Sequence, residues 1–496
     1  MVSSKNILDI AVVLQASTAR LAPPPGLRHT RSRLPARRPM ALLLESNSLK
    51  HRLVAVFFFL GLPFLSLAQA QPTENRPSSS APSAPANTAT AESSAGEPVP
   101  QGYTLSPERA AQAAAYARAR RRIYFLDFAW GLLAILVALR WRVAVIFRQW
   151  AERVSRYRIL QAAIFAPALL ALLEVVGLPA GAARHWLAVR HGLSVQPWTS
   201  WLGDRAKGAL LELALGVLLV WLLYAVMRRS PRRWWFYGWL GSLPILVFVV
   251  FLSPWLVDPL FFEFRPLAPG HPELAAQIER VIARAGEDIP ESRMYVMNAS
   301  SKLNALNAYV TGLGASLRVV VWDTTLARLP TPELLSVFGH EMGHYVLGHV
   351  RAGVLFAAGL LFVCLFAGFH LFRWAIGRWG RGWGLRGTED WASLPVLLLL
   401  LSLLGFLATP AANAYSRRIE HQADQYALEV MHGIVPDASA AAARSLQIMG
   451  EEDLEEPSPS RAVVFWFYSH PPIYQRIIFA RRYDPWSQGR SPEFVK

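Results

Sequence analysis

The chain has 496 residues, 53% of them hydrophobic and only 17% charged. Soluble globular proteins carry about 25% charged residues, so this composition excludes an ordinary soluble protein and favours a membrane one. The formal net charge of +16 comes from 45 Arg and five Lys against 34 acidic residues, a bias toward Arg that points to GC-rich coding and not to a nucleic-acid surface. The single cysteine, Cys364, excludes a disulfide framework and any multi-cysteine zinc site, so a metal would have to be held by His and carboxylates.

Residues 1–39 are basic and Pro-rich, carry a net +6 and show no core-forming pattern. They read as an extension ahead of the working start at Met40. From there the chain reads as a signal segment over 40–70: Lys50 and Arg52 precede the apolar stretch Leu53 to Leu67, and Ala68-Gln69-Ala70 supplies an A-x-A cleavage site. The alternative is that 53–70 stays on as a first span. Residues 71–105 are rich in Ser, Pro, Ala and Thr and read as a disordered linker. Ser106-Pro107-Glu108 then opens a helix, with Ser as its cap and Pro at the first position.

A span needs roughly 20 apolar residues. Candidates are 123–139, 159–180, 209–227, 234–252, 353–374 and 394–412; with 53–70 they make six to seven. Arg residues mark the breaks, and Trp and Tyr gather at the same borders. Asp127, Glu174 and Glu212 lie in or near spans, where a charge must face a watery interior. The predicted architecture is mainly α: a polytopic helical bundle with an N-terminal membrane domain of four spans over 106–262, a soluble insertion over 263–350, two spans over 351–412 and a C-terminal soluble part over 413–496.

The insertion carries His340-Glu341-Met342-Gly343-His344. On a helix, positions i and i+4 share a face, so both imidazoles can meet one zinc ion, with Glu341 beside them to take a proton from the metal's water. Thr331, Pro332 and Glu333 supply the helix start. Catalytic zinc needs a third protein ligand and an open position. Glu420 and Asp424 are again i and i+4 on one face: Glu420 can bind the metal, and Asp424 can hold a ligand imidazole by its other nitrogen. His349, nine residues after His340, is expected on the opposite face of that helix with a structural role. His421 is expected to face elsewhere, and His370 to be interfacial.

These residues resemble the type I CAAX prenyl endopeptidases, integral-membrane zinc proteases of the gluzincin class. The resemblance runs from about 103 to 480 through separate stretches in order: His191-Gly192-Leu193-Ser194 to Lys207, Pro259 to Leu267, Asn307-Ala308-Tyr309 to Thr325, the two metal motifs, and His470-Pro471-Pro472 with Arg476. Departures are small: Tyr345 stands where Trp is common, and the amino terminus is unusually polar. The resemblance implies one zinc per chain on His340, His344 and Glu420, Glu341 as general base, and His470 and Arg476 on the substrate backbone or the developing oxyanion. It also implies a chamber enclosed by the spans, with Glu174, Glu212 and Asn413 on its wall. Segments 308–314 and 317–323 read as a hairpin turning at Gly314-Ala315-Ser316, whose edge could align a peptide by strand addition, with Asn307, Ala308 and Tyr309 on the substrate side.

The expected activity is zinc-dependent endopeptidase action on peptide or membrane-protein substrates in the bilayer, with no nucleic-acid partner. Turnover of damaged membrane proteins suits a bacterial host better than prenylated substrates. Span ends on both faces carry Arg, so the positive-inside rule discriminates little. The basic start of 40–70 tips the orientation toward a bacterial inner-membrane protein whose catalytic face is periplasmic. Two alternatives compete: a site-2-type intramembrane zinc protease, whose third ligand is an Asp in a later span, and a non-catalytic chaperone or transporter keeping the fold. Glu420 and the intact Glu341 favour neither.

Overall fold

A computed structural model describes residues 102–495 except 257, 261, 303 and 313–315. The expectations for 1–39, for the signal segment and possible span in 40–70, and for the linker as far as residue 101 lie outside the described residues. So does the hairpin turn at Gly314 and Ala315.

Chain order begins with α1 (Pro107–Arg140), α2 (Val143–Val154), α3 (Arg158–Arg190), α4 (Trp198–Arg229) and α5 (Trp234–Leu256). The Ser106 hydroxyl accepts from Arg109 N at 3.2 Å, so the Ser-Pro start caps α1 as its sequence predicts. A π-helical turn at Phe248–Leu252 follows Pro244 within α5. The next elements are β1 (Phe264–Pro266), α6 (Pro272–Arg284), β2 (Met294–Met297), β3 (Ala308–Thr311), β4 (Arg318–Trp322), α7 (Asp323–Arg328) and α8 (Thr331–Val346). Then come α9 (His349–Trp379), α10 (Leu394–Met431), α11 (Ala438–Glu452), α12 (Arg461–Phe467) and α13 (Ile473–Arg482).

Among the described residues, six helices are long and apolar enough to cross a membrane: α1, α3, α4, α5, α9 and the helix that includes α10. They match the six spans expected after residue 100. Hydropathy locates them but misses their length. The expected boundary at 412/413 falls inside α10, which runs unbroken for 38 residues through Pro410. At 1.5 Å per residue that is about 57 Å, nearly twice the hydrocarbon thickness. Hydropathy drops after 412, but the helix continues to Met431.

The bundle core is formed by Phe165, Leu169, Tyr224, Trp234, Phe372 and Trp391. A second core joins sheet and helices through Val319, Val321, Leu335, Phe338, Met342 and Val430. The sheet order is β1-β2-β4-β3; β2 and β4 are parallel and the other pairs antiparallel. That order leaves β3 at an edge, paired only with β4.

Two glycines set the distance between α8 and α10. A Cβ on Gly343 would meet Tyr426 Cβ at 3.1 Å and Ala423 Cα at 3.2 Å, and one on Gly339 would meet Val430 at 3.2 Å. Both are one residue ahead of a motif histidine, so the close face and the metal face of α8 adjoin. Gly343→Ala should therefore destabilise the fold by roughly 1–3 kcal/mol through overpacking. A thermal melt of the purified protein reads this, and an unchanged melting temperature would contradict it.

Candidate active site

Close packing of α8 on α10 brings three side chains to one point. His340 Nε2 lies 3.1 Å from His344 Nε2 and 3.2 Å from Glu420 Oε2, and His344 Nε2 lies 3.5 Å from Glu420 Oε1. One ligand atom from each of the three residues falls within 4.8 Å of the others. Among the described residues this is the one such cluster of His, Cys, Asp and Glu.

Each histidine is held from behind. Asp424 Oδ1 lies 2.9 Å from His340 Nδ1, and a carboxylate can only accept, so Nδ1 donates to it and Nε2 is the nitrogen turned to the site. Arg476 donates from Nε to Asp424 Oδ2 at 2.8 Å and from Nη2 to Oδ1 at 2.6 Å. His349 lies with its Nδ1 3.2 Å from His344 Nδ1. The sequence spacing places His349 on the opposite helical face, and the structure overturns this. Helix α8 stops at Val346, Gly348 takes a left-handed φ of 68°, and the chain turns so that His349, buried, opens α9 beside His344. A glycine ahead of the histidine was the available signal, because only glycine enters that conformation freely.

Burial raises the Glu341 carboxyl above the ordinary carboxylate range, although His340 and His344 oppose the shift. For His340, burial disfavours the charged ring, but the Asp424 and Glu420 carboxylates beside it overcome that and raise its pKa to about 10. His470 sits at the open side, its Nε2 3.1 Å from Glu420 Oε2 and its Nδ1 3.0 Å from Ser469 Oγ. Arg476 is half-buried against Asp424, and two of its donors are committed to that carboxylate. His421 faces away, ring to ring with Phe479, and His370 lies against Phe366 and Phe369.

The site opens into a cavity of about 1780 Å³ between the spans and the sheet. Glu341, His470 and the stretch Asn307 to Gly312 line it, as do Glu174, Glu212 and Asn413. Glu174 pairs with Arg205 at 2.7 Å, and Asn413 donates to the Trp466 carbonyl at 2.6 Å. Charges placed in the spans thus face a shared interior. Asn307 is fixed through its backbone: its N–H donates to Thr325 Oγ1 at 2.7 Å and its carbonyl accepts from the same hydroxyl at 2.8 Å. Ala308 is buried, and the Tyr309 hydroxyl donates to Asp258 at 3.3 Å.

The donor set suits zinc, which takes imidazole nitrogen and carboxylate oxygen. Glu420 Oε2 is buried without a hydrogen bond, although two imidazole nitrogens stand 3.1 and 3.2 Å away. A buried carboxylate oxygen left so is costly, and a cation at the shared point would satisfy it.

The class defined by this fold and site is a polytopic membrane metallopeptidase, and the comparisons agree. Residues 270–484 match the family described as Peptidase family M48, and residues 92–263 match CAAX prenyl protease N-terminal, five membrane helices. The "Uncharacterized metalloprotease YhfN" of Bacillus subtilis (strain 168) is 34% identical over 382 residues, covering 76% of this chain and 87% of that protein. The CAAX prenyl protease 1 homolog of Mus musculus is 26% identical over 382 residues, covering 68% and 77%. The crystal structure of S. mikatae Ste24p has the same fold, with a TM-score of 0.65 at 22% identity over 76% of this chain and 90% of that one. The chain belongs to the M48 metallopeptidases of the CAAX prenyl protease type and is a membrane zinc endopeptidase. That membership removes the site-2 and non-catalytic alternatives.

The support behind the ligands is open to measurement. Asp424→Asn keeps the volume but turns one acceptor into a donor facing Arg476. Loss of such a partner costs about 10–100-fold in metal affinity. Competition with a chromogenic chelator should show that loss, and wild-type affinity in the variant would contradict it.

Proposed function

We propose that one zinc ion per chain is held by His340, His344 and Glu420, and that the protein cleaves peptides of membrane proteins inside the chamber as part of their turnover. The observation that carries this is the convergence of those three side chains on a cavity large enough for an extended peptide. When bound, zinc supplies Lewis acidity, acidifying water and polarising a carbonyl. Glu341, raised by burial, accepts the proton of the attacking water and returns it to the leaving amine. His470 donates to the oxyanion from the open side, where such a donor contributes most. Arg476 acts through Asp424, fixing the carboxylate that orients His340. His349 does the same for His344. The free edge of β3 takes the substrate as an added strand, with Asn307, Ala308 and Tyr309 at its start.

The substrate class is tested by trapping. Tagged Glu341→Gln protein, cross-linked in native membranes and analysed by mass spectrometry, should hold membrane-protein segments that wild type does not. Equal recovery from both would count against the reading.

The catalytic side faces the periplasm of a bacterial inner membrane in this reading. Residues 102–496 carry a net +11, and the segments 140–158, 228–233 and 373–390 carry +11 as well: 14 Arg against Glu152, Glu389 and Asp390. The other 26 Lys and Arg of 102–496 are spread over 352 residues, whereas these 14 Arg stand within 43. Contacts such as Arg142 to the Gly382 carbonyl and Arg386 to Glu152 gather those segments at one end of the bundle. Arg in short loops marks the cytoplasmic end, which leaves the zinc site outside. Alkaline phosphatase fused after Lys496 should be active, and an inactive fusion that is stably produced would reverse the orientation.

A further inference from the structure

The Arg-rich end holds a helix that the catalytic account does not use. Helix α2 has 12 residues, about 18 Å, too short to cross roughly 30 Å of hydrocarbon. The chain reverses into it at Arg142, whose φ is 57°. One face of α2 is buried through Ala144, Val145, Arg148 and Ala151. Arg148 anchors that face by pairing with Asp390, which also accepts from Arg386 N at 2.9 Å and Ala392 N at 3.1 Å. The opposite face leaves Ile146, Trp150 and Val154 exposed at 58%, 53% and 61%. These are i, i+4 and i+8, a single apolar stripe, and Trp141 stands beside it at 71%. Helices of this kind lie in the membrane interface with cationic residues at the headgroups, and Arg140, Arg142, Arg153 and Arg156 are all exposed around this one.

A second observation points to an anion. Arg158 opens α3 and Arg228 lies in the last turn of α4, and Trp391 links them: its Nε1 donates at 3.1 Å to the same Gln161 Oε1 that accepts from Arg158, and its ring lies under Arg228. Arg158 donates to Gln161 Oε1 at 3.1 Å. Arg228 lies 5.0 Å over the Trp391 ring, and its Nη1 is buried without a hydrogen-bond partner. Glu389, exposed, is the carboxylate that acts on Arg228. Two adjacent guanidinium groups at a helix N-terminus form a site for a phosphate.

We propose that this end of the bundle binds anionic phospholipid, with α2 lying in the headgroup layer and Arg158 and Arg228 clamping one lipid phosphate. A free phosphate would leave the Ile146–Trp150–Val154 stripe in water, whereas a lipid covers the stripe and neutralises the arginines together. The inference is independent of the catalytic reading, because the site lies at the far end of the spans from the zinc ligands.

The test uses the full-length protein, extracted from nanodiscs of phosphatidylcholine mixed with phosphatidylglycerol and weighed intact by native mass spectrometry. Phosphatidylglycerol should be retained over phosphatidylcholine by about tenfold, at the scale set by a few interfacial Arg. Arg158→Gln/Arg228→Gln should abolish that preference while hydrolysing peptide at the wild-type rate. Arg158→Gln alone, at an exposed first-turn position, should reduce the preference and serves if the double variant does not fold. Soluble short-chain phosphatidylglycerol should raise the melting temperature, and inorganic phosphate should not. Equal retention of the two lipids, an unchanged preference in Arg158→Gln, or the same stabilisation by inorganic phosphate would overturn the proposal.

Discussion

Glu341→Gln leaves the zinc ligands in place and lowers peptide hydrolysis by about 10²–10⁴-fold, the usual contribution of a positioned general base. The side chain keeps its size and polarity and is not one of the three converging ligands, so metal content should match wild type. Only the ability to accept a proton is removed. Burial already favours a protonatable carboxyl at this position, which is what proton return to the leaving amine requires. Turnover measured beside zinc content separates the two effects. Wild-type hydrolysis in the variant would remove Glu341 from the mechanism, and loss of zinc would make it structural.

Glu420→Ala has the opposite signature: zinc is lost, and activity falls to background with it. Glu420 is buried at 1% exposure and touches both histidines and His470. Without it, two imidazoles remain, fewer ligands than a catalytic zinc site uses. The affinity loss should exceed the roughly 10–100-fold cost of removing an outer partner such as Asp424. Zinc content after dialysis against a weak chelator checks the ranking, with Glu420→Ala emptied under conditions where Asp424→Asn is partly loaded. A Glu420→Ala protein that keeps its zinc would place the third ligand elsewhere.

Much of the site was legible because helical spacing is local. The four-residue steps His340–His344 and Glu420–Asp424 needed no tertiary knowledge to read, and the structure brings the two pairs together. Hydropathy found the six described spans for a similar reason, since transfer into lipid depends on composition over a single segment. What failed was whatever depended on continuity. His349 was misplaced by assuming that α8 ran past Gly348. The role of Arg476 was also hidden. Six residues after His470 suggests a shared target, but the turn into α13 sends the guanidinium behind Asp424.

The central claim is that hydrolysis depends on one zinc held by this chain. The most direct measurement is cleavage of an internally quenched peptide by detergent-purified protein stripped of metal by a chelator and then titrated with zinc. The account predicts loss of activity on stripping and full recovery at one equivalent of zinc per chain. Full-rate cleavage by protein shown to be free of metal would contradict it.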